Sequence, residues 1–222
     1  MLKGKTNMKL TYNHFFQFGD HIRLTQSIDT ARFAQDLEEF DNDWNQYNEF
    51  KPHIRREGLC ILNEDGIIKR GPAISSILEW NKTYGTSWSE DDFVVPTPVY
   101  HKSIDMQNLL GPILPYICRT HILKIKPGGF FPPHRDAYYR GGIECRTFRL
   151  LMPLYNTEAP WFRFMVGDAT LPWANGDLYA VNTQKEHTLF NTSIDKDSYW
   201  IVINAKVCEE MFNYVTSNLS VR

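Results

Sequence analysis

The sequence predicts an α+β chain that is mainly β: a sandwich or barrel of short strands, buttressed by helices from the N-terminal portion. Three observations carry this. Aromatic residues make up 14% of the 222 residues, a rich supply of side chains that favour a half-buried pleated surface. The first half places apolar residues at helical spacing. From residue 119 the texture changes to short apolar runs separated by turn residues at regular intervals. At this length one core can bury roughly 70% of the unfolded surface, so residues 1–222 read as a single domain. It divides into a helical and irregular portion (1–118), a β-core (119–205) and a C-terminal helix or tail (206–222).

The elements follow in order. Phe33, Leu37, Phe40, Trp44 and Tyr47 form one apolar stripe, which predicts a helix over residues 30–47 capped by Asp29 or Thr30. Leu59-Cys60-Ile61-Leu62 is a short strand that stops at the turn Asn63-Glu64-Asp65-Gly66. Pro72 opens a second helix with Ile74, Ile77 and Leu78 inward and Gly85 as its stop. Met106, Leu109, Leu110, Ile113 and Leu114 make a third helical face, broken near Pro112 and Pro115. Strands are then expected over residues 119–126, 146–155, 161–166, 176–181, 187–192 and 199–205, with a last helix over 207–215.

Charge and composition exclude several classes. Lys+Arg is 24 and Asp+Glu is 26, a formal net charge of -2, so there is no overall basic field for nucleic acid or an anionic membrane. No apolar run approaches the ~20 residues of a membrane span. The start, Met1-Leu2-Lys3-Gly4-Lys5, lacks an apolar signal core. Cys60, Cys118, Cys145 and Cys208 are widely spaced and form no CxxC pair. Together these predict reduced thiols and a cytoplasmic protein. The Asn-x-Ser/Thr triplets at Asn81, Asn191 and Asn218 then read as chance matches. No P-loop, HExxH or G-x-S-x-G occurs. His134-Arg135-Asp136 is not a kinase catalytic loop, because no glycine-rich loop or Asp-Phe-Gly accompanies it.

The chemistry sits in Pro132-Pro133-His134-Arg135-Asp136 and in His187. In an extended segment residues i and i+2 share one side, so His134 and Asp136 can aim an imidazole and a carboxylate at one point. His187, returning on a distant strand, completes three ligands. Two His and one carboxylate with open positions is the ligand set of non-heme Fe(II) oxygenases, whose metal must hold a co-substrate and still admit O₂. A His-x-Asp alone arises about once by chance in a chain of this composition, so the signal lies in its context. Arg149 stands in the apolar strand Phe148-Arg149-Leu150-Leu151-Met152-Pro153-Leu154. A buried guanidinium needs an anion, and the residues alone admit either a ligand carboxylate or a local acid. The other histidines, His14, His21, His53, His101 and His121, lack a partner pattern and read as structural or surface residues. His121 lies on the strand before the Pro-Gly-Gly turn, where it can face a cavity. Tyr138-Tyr139-Arg140 reads equally as a substrate mouth or an exposed loop, and the basic patch at residues 51–56 as a solvated loop.

The β-half resembles the aspartyl/asparaginyl β-hydroxylase and proline-hydroxylase branch of the Fe(II)/2-oxoglutarate-dependent dioxygenases. The resembling stretches are Lys126-Pro127-Gly128-Gly129, Pro133-His134-Arg135-Asp136 and Arg149-Leu150-Leu151-Met152-Pro153-Leu154. They continue with Asn175-Gly176-Asp177-Leu178-Tyr179 and His187-Thr188-Leu189-Phe190-Asn191-Thr192-Ser193, in the family's order, over residues 119–205. The resemblance implies a double-stranded β-helix (jelly-roll, cupin-like) core. It implies Fe(II) on His134, Asp136 and His187, with 2-oxoglutarate as co-substrate and Arg149 on one of its carboxylates. Gly176 matches a turn glycine, and Asn191 and Ser193 match small polar positions past the distal His. The implied reaction uses O₂ to hydroxylate an unactivated C–H of an amino acid, free or in a peptide.

One position departs from the family, which carries an Arg about ten residues past the distal His. Here Asp197 and Ser198 stand instead. The far carboxylate of 2-oxoglutarate then falls to Ser198, to Lys124 or Lys196, to Arg149 in a changed pose, or to nothing. Two other readings stay open: a cupin-like metal enzyme that does not use 2-oxoglutarate, and a non-catalytic β-fold recognition module with a vestigial metal site.

Overall fold

The computed structural model describes residues 9–136 and 146–220. Tyr138, Tyr139, Arg140 and Cys145 lie outside the described residues. The strands in chain order are β1 (His21–Ser27), β2 (Asn45–Gln46), β3 (Arg56–Asn63), β4 (Val95–Pro96), β5 (Ile117–Ile125) and β6 (Phe130–His134). They continue with β7 (Thr147–Tyr155), β8 (Phe162–Val166), β9 (Ala169–Thr170), β10 (Asp177–Val181), β11 (His187–Asn191) and β12 (Ser198–Lys206). The helices are α1 (Tyr12–Phe15), α2 (Thr30–Leu37), α3 (Ile77–Tyr84), α4 (Pro98–Lys102), α5 (Ile104–Leu110) and α6 (Glu209–Ser217).

The strands form two antiparallel sheets. The larger runs β1-β10-β7-β12-β5-β3-β2, with β4 on β3, and the smaller runs β6-β11-β8-β9. From β5 onward the chain alternates between them: β5 large, β6 small, β7 large, β8 and β9 small, β10 large, β11 small, β12 large. That alternation makes a double-stranded β-helix, a jelly-roll core. It has a direct consequence for the site. Strands β6 and β11, far apart in sequence, become hydrogen-bonded neighbours in the small sheet.

The period-2 pattern of the strands explains how the layers are held. On β7 the residues Leu150, Met152 and Leu154 face the helices, together with Ile201 and Ile203 of β12. They meet Phe33 and Leu37 of α2, Met106 and Leu110 of α5, and Met211 of α6. The alternate residues, Leu151 of β7, Trp200 of β12 and Leu123 and Ile125 of β5, point between the sheets toward Phe162, Phe164 and Leu189. A sheet buried on both faces gives near-continuous apolar strands, and each large apolar side chain so buried contributes roughly 1.5–3 kcal/mol. Cys60, Cys118 and Cys208 are free thiols. Among the described residues no helix is long and apolar enough to cross a membrane.

Several expectations need correction. The helix predicted over 30–47 ends as α2 at Leu37, followed by one 3-10 turn over Glu38–Phe40. Its cap is as expected: the Asp29 carboxylate accepts from the backbone N–H groups of Ala31 and Arg32 at 3.0 and 3.2 Å. Beyond Phe40 the polar run Asp41-Asn42-Asp43 competes for the backbone, and Asn45 donates to the Asp43 carbonyl at 2.7 Å. Asn45 and Gln46 then pair with β3, which carries Tyr47 away from the helix. Leu78 is not inward; it is 65% exposed, because the segment around α3 packs through Trp80 and Tyr84 against Phe50. The first 118 residues are less helical than expected, since they supply β1 to β4 of the large sheet. The basic patch at 51–56 is not simply a solvated loop: Arg56 opens β3 and is 3% exposed.

Gly176 sits in a turn before β10 at φ +83°, and a Cβ there would meet the Ile28 carbonyl oxygen at 2.6 Å. That same stretch accepts the Ile28 N–H at the Gly176 carbonyl, 3.0 Å. Gly176→Ala combines a left-handed φ with a backbone clash, so we expect a loss of about 2–4 kcal/mol. Urea unfolding measures it, and a variant within about 0.5 kcal/mol of the parent contradicts the expectation.

Candidate metal centre

Residues 132–136 build the first half of the site. Strand β6 is an edge of the small sheet, which is why Pro132 and Pro133 are tolerated there despite their missing N–H groups. The prolines hold the segment extended. His134 ends the strand, and Asp136 follows two residues on, tied by its backbone N–H to the Thr183 carbonyl at 2.8 Å. His187 opens β11 and is the cross-strand partner of His134. The two imidazole centroids lie 4.2 Å apart. Phe131 stacks on His134 at 5.9 Å and Phe164 on His187 at 6.1 Å, so each ring is flanked by an apolar plane.

Hydrogen bonds orient both rings. His134 Nδ1 lies 2.7 Å from the Pro132 carbonyl, and His187 Nδ1 lies 3.1 Å from the Lys185 carbonyl. A carbonyl only accepts, so each Nδ1 carries the proton and each Nε2 keeps a bare lone pair. Those Nε2 atoms lie 3.7 and 4.0 Å from Asp136 Oδ1. One ligand atom from each of the three residues falls within 4.8 Å of the others, the one such group of His, Cys, Asp and Glu among the described residues. His187 is 7% exposed at its side chain, against 35% for His134 and 29% for Asp136. One ligand is therefore deep and two stand at the rim, which leaves an open side.

Protonation suits a divalent cation. Burial lowers the His187 pKa below the usual imidazole value, with Asp136 opposing it. Burial works against the Asp136 charge, but Arg149, then His187 and His134, outweigh it and hold the carboxyl below the ordinary carboxylate range. Neutral imidazole and ionised carboxylate are the forms that bind metal. A nitrogen, nitrogen, oxygen set of this kind could hold a divalent metal ion and leave other positions free.

Arg149 answers the question its sequence left open. Its Nε donates to Asp136 Oδ2 at 2.9 Å, and its Nη2 stands 4.0 Å from Glu90 Oε1. Burial disfavours its charge, and Asp136 and Glu90 more than offset that. The local acid that holds the arginine is thus the carboxylate of the candidate metal site itself.

A cavity of about 120 Å³ is lined by the three residues together with Leu123, Leu151, Phe164, Leu189 and Val202, and by polar groups from β5 and β7. Those groups are Arg119, His121 and Arg149. Tyr47, expected in a helical stripe, lines it too. Arg119 donates to the Ser75 carbonyl at 2.9 Å and pairs with Glu90 at 2.9 Å. His121 is 2% exposed, and both of its ring nitrogens are buried without a hydrogen-bond partner. Burial, then the charges of Arg119 and Arg149, push its pKa well below the ordinary value, so it is neutral. An outer cleft of about 370 Å³ shares Tyr47, Arg119, Phe131, His134, Asp136 and Arg149 with this cavity.

The substitutes proposed from sequence for the missing distal arginine do not converge here. The Ser198 hydroxyl is buried against the Asn156 carbonyl, to which it donates. Lys124 pairs with Glu57 at 3.2 Å and lies over the Trp44 ring at 4.0 Å. Lys196 is exposed. None of the three lines the cavity. Asn191 and Ser193 shape the turn after β11: Asn191 donates to the Ile125 and Lys196 carbonyls and accepts from the Ser193 N–H. Sequence reasoning missed Arg119, Glu90 and Thr183. The signal for Arg119 was its position two residues from His121 on a strand.

No family model matches the chain, and no curated protein matches it. Solved structures do. A prolyl-4-hydroxylase from Pseudomonas putida is 10% identical, over 85% of this chain and 93% of that one, with a TM-score of 0.45. A predicted oxalate decarboxylase from Thermotoga maritima is 14% identical over 45% and 73%, with a TM-score of 0.31. An RmlC-like cupin protein from Desulfovibrio desulfuricans is 16% identical over 40% and 72%, with a TM-score of 0.29.

Proposed function

We propose that the protein is an Fe(II)- and 2-oxoglutarate-dependent dioxygenase that hydroxylates an unactivated C–H of an amino acid, free or peptidyl. The observation that carries this reading is the meeting of two Nδ1-anchored imidazoles and one arginine-held carboxylate at the open mouth of a jelly roll. His134, Asp136 and His187 would hold the ion. When bound, Fe(II) would supply O₂ activation coupled to oxidative decarboxylation of 2-oxoglutarate. The chain supplies the rest. Asp136 contributes negative charge, and the apolar walls of the inner cavity exclude water. Arg119 and His121, which line the cavity, would receive the far carboxylate of the co-substrate in place of the arginine absent after His187.

The test is anaerobic loading with Fe(II), addition of 2-oxoglutarate and O₂, and measurement of succinate. Fe(II)-dependent succinate release is expected, and a protein that binds Fe(II) yet leaves 2-oxoglutarate intact contradicts the reading. His121→Phe and Arg119→Gln are each expected to raise the KM for 2-oxoglutarate about tenfold or more, the loss of ~1.4 kcal/mol of hydrogen bonding to a carboxylate. An unchanged KM in both removes them from that role.

A metal enzyme with the same ligands but without 2-oxoglutarate is the second reading. It is favoured by the failure of Ser198, Lys124 and Lys196 to reach the cavity. Metal binding without 2-oxoglutarate turnover decides for it.

A further inference from the structure

Among the described residues Arg56 is a buried cation without an acid. It opens β3 opposite Ile125 of β5 and is 3% exposed. Its guanidinium lies 3.8 Å from the Phe131 ring centroid and 5.2 Å from that of Tyr47. Among the described residues no carboxylate pairs with it, and its Nε is buried with no hydrogen-bond acceptor. Burial, opposed by Tyr47, draws its pKa down to about 10. The contrast with its neighbours is direct: Arg119 has Glu90 and the Ser75 carbonyl, and Arg149 has Asp136. Stacking on aromatic faces offsets only part of the cost of desolvating a guanidinium. The remainder calls for an anion that none of the described carboxylates supplies.

The place of Arg56 says which anion. It lines the outer cleft and not the inner cavity, and that cleft also holds His134 and Asp136. Phe131 stacks on Arg56 and on His134, so one ring separates the free cation from a metal-ligand candidate. Five cations, Lys51, Arg56, Arg119, Arg135 and Arg149, line that cleft against two acids, Glu90 and Asp136, although the whole chain carries a net charge of -2. Glu90 and Asp136 are already engaged by Arg119 and Arg149. We propose that Arg56 binds an anionic group, a carboxylate or a phosphate, on the primary substrate, and so selects acidic substrates for this site. The inference rests on the reading of the site as a hydroxylase.

The experiment is calorimetric titration of the full chain, with and without Mn(II) and 2-oxoglutarate. The probes are N-acetyl-L-aspartate amide, N-acetyl-O-phospho-L-serine amide and the neutral N-acetyl-L-asparagine amide. At least one acidic probe is expected to bind about tenfold or more tightly than the neutral one. Its identity distinguishes carboxylate from phosphate. Arg56→Gln is expected to erase the preference and Arg56→Lys to keep part of it. Equal affinities overturn the proposal, as does no acidic binding at up to ~10 mM. A folded Arg56→Gln protein that keeps the preference overturns it as well. Should that variant not fold, the parent's acidic-over-neutral preference and its reduction in Arg56→Lys decide. Failure of the hydroxylase reading shows separately, as absence of Fe(II)-dependent 2-oxoglutarate consumption while acidic probes still bind through Arg56.

Discussion

Asp136→Ala is expected to lower Fe(II) affinity at least about a thousandfold and to abolish Fe(II)-dependent succinate release. Asp136 is the one anion among the three ligand candidates, so its removal changes charge as well as ligand count. At an effective dielectric of about 20, unit charges ~4 Å apart interact by ~4 kcal/mol, which is about three powers of ten in affinity. The substitution also frees Arg149, whose Nε now rests on Asp136 Oδ2. A guanidinium left with only Glu90, which Arg119 shares, then repels a divalent cation beside it. Asp136→Asn separates charge from shape, because the amide keeps the volume and a hydrogen-bonding oxygen but no charge. It is expected to bind metal nearly as poorly as the alanine variant. Calorimetry with Mn(II), and with Fe(II) under anaerobic conditions, reads both. An affinity within about tenfold of the parent for either variant refutes Asp136 as a ligand.

The legibility of this site in the sequence follows from what each residue depends on. His134 and Asp136 were readable because their convergence needs only an extended backbone, and Pro132 and Pro133 enforce one. His187 was readable through the ordered motifs, although its arrival opposite His134 is set by the alternation of strands between sheets, a tertiary fact. Arg149 was readable as a buried cation, whereas its partner was not, because Asp136 reaches it across two sheets. Tyr47 stands at helical spacing from Phe33, Leu37, Phe40 and Trp44, and that periodicity does not register the turn chemistry of Asp41-Asn42-Asp43, which ends the helix. Ile22 and Leu24 alternate with polar residues in β1, yet seven residues carry a weak signal until a partner strand, here β10, selects it. Arg56 was hidden by its basic neighbours, which suggested solvent rather than the end of a buried strand.

Arg149 offers the other large effect, with different signs on different observables. Arg149→Met keeps much of the volume and removes the charge. In the metal-free protein this leaves Asp136 without its hydrogen-bonded cation, and breaking a buried pair from one side costs ~3–5 kcal/mol. Asp136 keeps 29% of its side chain exposed, so solvent reduces that to about 1–3 kcal/mol. A bound divalent ion replaces the lost positive charge. Adding Mn(II) is therefore expected to restore most of the lost stability, and metal affinity is expected to hold or tighten because a competing cation has gone. Affinity for 2-oxoglutarate moves the other way. If Arg149 grips a co-substrate carboxylate when metal occupies Asp136, the Kd for 2-oxoglutarate rises about tenfold or more in the Mn(II)-loaded variant. If the arginine serves only to hold Asp136, that Kd stays within about twofold while the metal-free melting temperature still falls. Thermal unfolding with and without Mn(II), set beside 2-oxoglutarate titration of the loaded protein, separates the two roles in one variant.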